Sequence, residues 1–270
     1  MSDPTAETLA ESLLPLTAEP SRAAVFCDID GTLAPIVNRP EDSRVPEEAS
    51  VVLSKLGRTY GCVACVSGRP AAEARRLVGV GGVAYVGSHG AELLEPGSST
   101  PQFLDAFVRW EGRVREFVEA QQEDRDLKLL RIRIEDKGPI KAFHWRDVPD
   151  EAAAEQWLQN VAQEAQEAEL EIHWGRKVLE IRPPVPVDKG QGVTRMLQSS
   201  GVRSALYGGD DVTDLDAFDA LQSLVASGDL DAAVCVGVRS TEGPRAIVDR
   251  ADLVVDGVSG FRDVLLALVK

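Results

Sequence analysis

Apolar and polar positions along the chain follow two rhythms. In the first, short apolar runs alternate with stretches of helical spacing. AAVFCDID (23–30) opens with a run apolar enough for a strand buried on both faces and ends abruptly in carboxylates. Residues 46–58 place Val51, Val52 and Leu56 on the apolar side of a predicted helix. GCVACVSG (61–68) reads as a second buried strand. A short helix over 70–78 starts at Pro70, a residue suited to a first turn. GVAYVGSHG (82–90) is a third strand. Strand and helix in alternation predict a parallel sheet covered on both faces.

The second rhythm begins near residue 100. A long charged helix is expected over 101–123, and KLLRIRIED (128–136) alternates as a half-buried strand does. A Lys-Gly-Pro turn leads into IKAFHWRD (140–147), giving a hairpin with one solvated face. A helix over 150–168 follows, then a second hairpin pattern, ELEIHWGRKVLEIRP (169–183), with Gly175 at its turn. Pro183, Pro184 and Pro186 mark a linker. The first rhythm then resumes with a helix over 188–199, a strand over 204–211 and a helix over 213–226. Strands over 232–238 and 251–256 and a helix over 259–269 complete it. The expected fold is α/β: a doubly wound, mostly parallel, Rossmann-like core of residues 21–100 plus 184–270. An α+β module of residues 101–183 is inserted into it. Residues 1–20, polar and punctuated by proline, read as a lead-in arm with a short helix.

Composition changes this picture little. The 270 residues are 44% hydrophobic and 27% charged, enough for a sizeable core without disulfides or structural metals. Charge changes it more. A net −15 with no basic stripe argues against nucleic acid and against attraction to anionic membranes. An anionic substrate would have to be drawn by a few local cations or a metal. Cys27, Cys62, Cys65 and Cys235 lie in apolar stretches and read as small hydrophobes. Cys62 and Cys65 form a CxxC, but no second pair completes a zinc site. The N-terminus is acidic and lacks the basic region of a signal peptide. No apolar run approaches the roughly 20 residues that span a bilayer, so the expected location is cytoplasmic.

Four short segments carry candidate chemistry. In DIDGT, Asp28 and Asp30 sit two apart at the carboxyl end of a buried strand, where ligands of open α/β sheets bind. Two unpaired carboxylates there repel, and a divalent cation or a shared proton relieves the cost. GGDDVTD (208–214) adds Asp210, Asp211 and Asp214 after another apolar strand. An oxygen-only site of this kind suits Mg²⁺; acidic residues at a helix start also suit the helix dipole. Ser67, followed by Gly68 and Arg69, can hold a phosphate oxygen at a strand-to-helix loop, or simply cap the helix near Pro70. Lys189 stands just inside a helix start, unfavourable unless an anion is close. Other chemistries are missing: there is no GxxxxGK[ST], no GxSxG, and GVGGVAYVG does not open a helix after a strand. His89, His144 and His173 lack zinc-ligand spacing.

In this order, DIDGT, Ser67, Lys189 and GGDD resemble the four motifs of the haloacid dehalogenase superfamily. The resemblance implies Asp28 as nucleophile forming an aspartyl-phosphate and Asp30 as general acid, then base. Ser67, Gly68, Arg69 and Lys189 would hold the phosphoryl group. Mg²⁺ would sit on Asp28, the Asp30 carbonyl and Asp210, with Thr32 in support and with Asp211 and Asp214 supporting the metal shell or Lys189. GSHGAE (87–92), EDKGPIKAFHWR (135–146), GRKVLEIRPPVPVDKG (175–190) and GDDVTD (209–214) are similar to patterns of trehalose-6-phosphate phosphatases. That likeness makes the inserted module a cap. It implies Glu135, Lys137 and Glu180, with Arg146 and His89, as contacts to a small sugar phosphate, and functional coupling to a trehalose-6-phosphate synthase. Two departures stand out: Leu215 where that family usually has Glu, and a Val-Pro insertion lengthening the 183–188 linker. Phosphatases of sucrose 6-phosphate or a glycosyl-phosphoglycerate, a non-catalytic sugar-phosphate sensor and a dehalogenase are the alternatives.

Overall fold

The computed structural model describes residues 4–37, 42–175, 177–240 and 243–269. In chain order its strands are β1 (Ala23–Cys27), β2 (Cys62–Val66), β3 (Ala84–Gly87), β4 (Glu92–Leu94), β5 (Gln102–Phe103), β6 (Arg133–Lys137), β7 (Ile140–His144), β8 (Glu171–Gly175), β9 (Val178–Arg182), β10 (Ser204–Gly209), β11 (Ala232–Arg239) and β12 (Leu253–Asp256). The chain divides into two compact units: Met1–Gln102 with Val187–Lys270, and Phe103–Pro186. Among the described residues no helix is long and apolar enough to cross a membrane.

The first unit is a doubly wound α/β sheet in the order β12-β11-β10-β1-β2-β3-β4, with β5 at its edge. From β12 to β3 each neighbouring pair is parallel, and β4 runs antiparallel to β3. All five residues of β1 are buried. Its side chains alternate between two apolar clusters: Ala23, Val25 and Cys27 join one, Ala24 and Phe26 the other. That two-sided burial is why the strand reads as an unbroken apolar run. Cys65 and Cys62 likewise fall in different clusters, and all four cysteines are free and buried. From β1 the chain steps outward to β2 and β3, then returns to add β10, β11 and β12 on the other side. The strand order therefore reverses between β1 and β10, and a ligand crevice forms at such a switch point.

Several expectations need correction. Residues 1–20 are not a mere lead-in: helices Ala6–Ser12 and Leu14–Thr17 bring Leu13 and Leu16 into the core, fully buried. In the helix Glu47–Thr59, Val51 is 47% exposed, while Ala49, Val52, Leu53 and Leu56 face the core; the stripe is set by 49, 52, 53 and 56, and Val51 falls off it. The single helix expected over 101–123 is β5 followed by helices Asp105–Val108 and Glu111–Gln122. The strand expected from 128 starts at Arg133, because Asp124 caps a helix at Arg125–Leu129 and Arg131 turns through a left-handed conformation (φ 58°).

The second unit is a four-stranded antiparallel sheet, β6-β7-β9-β8. One face packs Phe143, Leu179 and Ile181 against Val114 and Val118 of helix Glu111–Gln122 and Leu158 and Val161 of helix Glu151–Glu167. The latter helix buries Ala154, Leu158, Val161, Ala162 and Ala165, a stripe of helical period, and starts where the Asp150 carboxylate accepts from the Ala153 amide at 2.9 Å. Such a cap contributes about 1 kcal/mol. The opposite sheet face carries the polar positions. One rung runs Glu135–Ala142–Glu180–His173 across the four strands. The β8–β9 turn passes through Lys177 (φ 62°), with Gly175 still in the strand.

Candidate active site

The site grows from the ends of β1 and β10. Their parallel register pairs Cys27 with Gly208, and the Asp28 amide donates to the Gly208 carbonyl at 2.9 Å, so the two acidic turns leave the sheet side by side. After Asp28 the backbone folds back tightly, with the amides of Leu33 and Ala34 donating to the Ile29 carbonyl. Gly31 makes this possible. Its φ is +98°, and a Cβ there would lie 1.9 Å from the Asp210 carboxylate. Only a residue without a side chain lets the two turns approach this closely.

Asp28, Asp210 and Asp214 converge here, each offering a carboxylate oxygen within 4.8 Å of the others. They are 4%, 2% and 0% exposed. Lys189, also buried, donates to Asp28 and to Asp214, each at 2.7 Å. Asp214 is saturated: it also accepts from the Tyr207 hydroxyl at 2.7 Å and from the amides of Asp210 and Asp211 at 2.9 and 3.0 Å. It therefore anchors Lys189 and braces its own loop. Asp28 and Asp210 each keep an oxygen that accepts nothing from the described residues, the other Asp210 oxygen taking the Thr32 hydroxyl at 3.0 Å. Burial pushes the Asp28 carboxyl well above the usual carboxylate range; Lys189 pulls it back, and Asp214 and Asp210 push it up again. Burial, then Asp214, raises Asp210 to about 6. Lys189 is held protonated, its two carboxylates outweighing the burial that disfavours its charge. One ammonium faces three carboxylates. The two open oxygens and this charge deficit fit a hard divalent cation held by Asp28 and Asp210.

Asp30 lies apart from that cluster. Arg69 grips its carboxylate with two bonds, Nε at 2.6 Å and Nη2 at 2.8 Å, and the Ser43 hydroxyl donates at 3.0 Å. Arg69 is itself anchored on Glu73 at 2.6 Å. The Ser67 hydroxyl, at the end of β2, accepts from the Arg69 amide at 3.1 Å, and a Cβ on Gly68 would stand 2.6 Å from the His89 ring. Ser67, Gly68, Arg69 and His89 thus form one knot beside Asp30. Asp211 is exposed, and its carboxylate caps the turn Val212–Asp214 by accepting from the Val212 amide at 2.7 Å.

On the second unit's polar face, Lys137 donates to Glu180 at 3.0 Å and lies 3.8 Å from Glu135, while His144 Nε2 is 2.8 Å from Glu135. Arg182 donates to Glu180 through Nε at 2.9 Å and through Nη2. Burial raises the Glu180 pKa, but Arg182 and Lys137 outweigh it and hold the carboxyl below the usual range. Arg146 is exposed, just beyond β7. Arg182, Tyr207 and Ser43 are not among the sequence candidates, and His144 stands there only as lacking zinc-ligand spacing. Period-two spacing could have found Arg182, two residues after Glu180 on the same strand face. Nothing local marks Tyr207 or Ser43, whose partners Asp214 and Asp30 are brought to them by folding.

The profile of the trehalose-phosphatase family matches residues 26–247. A trehalose-phosphate phosphatase of Mycolicibacterium paratuberculosis is 34% identical over 210 residues, 74% of this chain and 51% of that protein. An uncharacterized glycosyl hydrolase of Mycobacterium tuberculosis is 36% identical over 208 residues, 74% of this chain but 15% of that protein. The chain thus spans about half of the first relative's length and a small part of the second's. The fold matches the C-terminal domain of a Candida albicans trehalose-6-phosphate phosphatase with a TM-score of 0.63 at 22% identity, covering 99% of this chain and 97% of that one. With the family profile covering most of its length, this chain belongs to the trehalose-phosphatase family.

Proposed function

We propose that the protein hydrolyses trehalose 6-phosphate to trehalose and phosphate through a covalent intermediate on Asp28. The observation that carries this is the Asp28 carboxylate itself: buried at the β1 end, held by Lys189 at 2.7 Å and beside Asp210. Asp28 attacks phosphorus, and the bond from phosphorus to the sugar oxygen breaks. Asp30 gives the departing oxygen its proton, yielding trehalose and an aspartyl-phosphate. Asp30 then takes a proton from water, whose oxygen attacks the same phosphorus and frees Asp28 and phosphate. Splitting the reaction suits an ester whose uncatalysed hydrolysis is among the slowest known. Asp28 and Asp210 would hold Mg²⁺, with the Asp30 carbonyl as a further oxygen donor, and the ion would supply charge neutralisation for the phosphoryl oxygens. Lys189, Ser67 and Arg69 supply donors for the same oxygens.

The polar face of Glu135, Lys137, His144, Glu180 and Arg182 suits a sugar, since carboxylates accept from hydroxyls and ammonium and guanidinium donate to them. We assign it, with Arg146 and His89, to reading the disaccharide. A synthase making trehalose 6-phosphate is the partner such a reaction calls for. Phosphate release with Mg²⁺, measured over trehalose 6-phosphate, sucrose 6-phosphate, glucosyl-phosphoglycerate and glucose 6-phosphate, tests the substrate. Trehalose 6-phosphate is expected to be turned over fastest; parity with glucose 6-phosphate removes the assignment. Asp28→Asn is expected to abolish turnover in a folded protein, and retained turnover removes the covalent step.

A further inference from the structure

GSHGAE contains a buried acid that the phosphatase mechanism does not use. Glu92, 3% exposed, opens β4 opposite Gly87. Between them the chain makes a turn in which Ser88 (φ 49°), His89 (φ 57°) and Gly90 (φ 113°) are all left-handed. Two successive non-glycine residues rarely adopt that conformation, and it persists only where the surroundings over-determine it. Glu92 does this. One carboxylate oxygen accepts from the Ser88 hydroxyl. The other accepts at 3.1 Å from the amide of Ala71, the first residue of helix Ala71–Val78.

The turn is also laced to the loop after β2. The Ser67 amide donates to the Val86 carbonyl at 2.9 Å, His89 to Ser67 at 3.1 Å, and Ser88 to Arg69 at 2.9 Å. His89 packs on Gly68, and Arg69 holds Asp30. Glu92 therefore ties the end of the loop that carries Ser67 and Arg69 to the turn that carries His89. Resting on the phosphatase reading above, we infer that Glu92 is a positioning residue: its carboxylate fixes the Ser67–Arg69 loop and His89 in the geometry that serves phosphoryl transfer.

The test compares Glu92→Gln, Glu92→Ala and Ser88→Ala in the full chain with Mg²⁺ and trehalose 6-phosphate. Glu92→Ala is expected to lower kcat at least tenfold with KM changed less than threefold. Glu92→Gln keeps the shape and one acceptor oxygen, and is expected to recover kcat to within about fivefold of the parent. A kcat within twofold of the parent in Glu92→Ala, whatever its Tm, overturns the inference. If Glu92→Ala does not fold, Ser88→Ala decides: it removes one of the two bonds, a several-fold loss of kcat is expected, and unchanged kcat overturns the claim. If the parent protein turns over no sugar phosphate, the phosphatase reading has failed and kinetics no longer speaks to Glu92. The three histidines then provide the readout. In Glu92→Ala, or in Ser88→Ala if that variant does not fold, the ring proton resonances of His89 are expected to move while those of His144 and His173 stay; an unmoved His89 overturns the inference.

Discussion

The two units each gather acids, and they balance them differently. In the first, Asp28, Asp210 and Asp214 are buried around a single ammonium, Lys189. In the second, Glu135 and Glu180 meet Lys137 and Arg182, with His144 alongside. The balanced set needs no further ion; its groups hold one another in place and can exchange partners with hydroxyls at modest cost. The unbalanced set carries surplus negative charge where water cannot screen it, and burial together with mutual repulsion pushes Asp28 and Asp210 upward. A bound cation reverses both effects. On the function proposed above, the contrast separates a site for a charged reaction from a surface for reading sugar hydroxyls.

The hardest blow to this contrast falls on Lys189. Lys189→Met leaves Asp28 and Asp214 buried without their cation, and breaking a buried pair from one side costs about 3–5 kcal/mol. That loss should appear in urea unfolding followed by hydrogen exchange in β1 and β10, together with about a 10²–10³-fold fall in kcat from the lost electrostatic donor. Mg²⁺ should restore more stability to this variant than to the parent, because the charge deficit has grown. Stability within 1 kcal/mol of the parent, with no added response to Mg²⁺, breaks the claim of imbalance. Gly31→Ala comes next. The added Cβ, 1.9 Å from the Asp210 carboxylate at φ +98°, must push the two turns apart. A stability loss of about 1–3 kcal/mol is expected, with Mg²⁺ affinity falling at least about tenfold by calorimetry. Unaltered Mg²⁺ binding shows that the ion does not bridge the turns.

How far the sequence foretells these features depends on range. The β1 and β10 strand ends are legible because each buried strand is a continuous apolar run closing on aspartates, and position at a strand end is local information. The resemblance leaves Asp214 to serve either the metal shell or Lys189; that it holds Lys189 while Asp28 and Asp210 keep open oxygens depends on Tyr207 and two amides from a folded loop. Asp211 leaves two readings open for a related reason, since an aspartate before a turn caps it as readily as it faces an ion. Residues 6–17 read as a polar arm because Leu13 and Leu16 are separated by proline, and only tertiary packing shows what they cover. In the second unit, strand alternation marks Glu180 and Arg182 as sharing a face, but the pairing of β9 with β7 that brings Lys137 within reach is long-range.

Glu180→Gln perturbs the balanced side. It leaves Lys137 and Arg182 with one fewer charge to hold, on a side chain only 13% exposed in the parent. A stability loss of about 1–3 kcal/mol is expected. All four tryptophans, Trp110, Trp145, Trp157 and Trp174, fall within Phe103–Pro186, so tryptophan fluorescence reports that unit by itself. If this face reads sugar hydroxyls in ground and transition states alike, KM should rise about tenfold with kcat little changed. A kcat collapse at constant KM would move Glu180 out of recognition and into the chemistry.

The smallest effect is the pH response of the same face. Burial lowers the pKa of His144 first; the Glu135 bond raises it in part, and Arg133 and Lys137 lower it further. Burial and then Arg182 lower His173, against a smaller opposing pull from Glu180. Each histidine is neutral in the folded unit at pH values where the unfolded chain already binds a proton. Between the unfolded value of 6.5 and the depressed folded values, the unfolded state binds more protons, so stability rises with pH. This contribution is present above pH 6.5 and drains away as pH falls through the folded pKa values. Glu180, depressed by Arg182 and Lys137 against its burial, adds a second loss at lower pH, beginning below its ordinary 4.5. Urea unfolding of the full chain followed by tryptophan fluorescence should therefore show a midpoint that declines from pH 6.5 downward and steepens below pH 4.5. Ring-proton titrations of His144 and His173 should give midpoints under 6.5. Midpoints above that value would mean that the folded face favours the charged imidazoles, and it would then gather a surplus of cations where the pairing with Glu135 and Glu180 argues for neutrality.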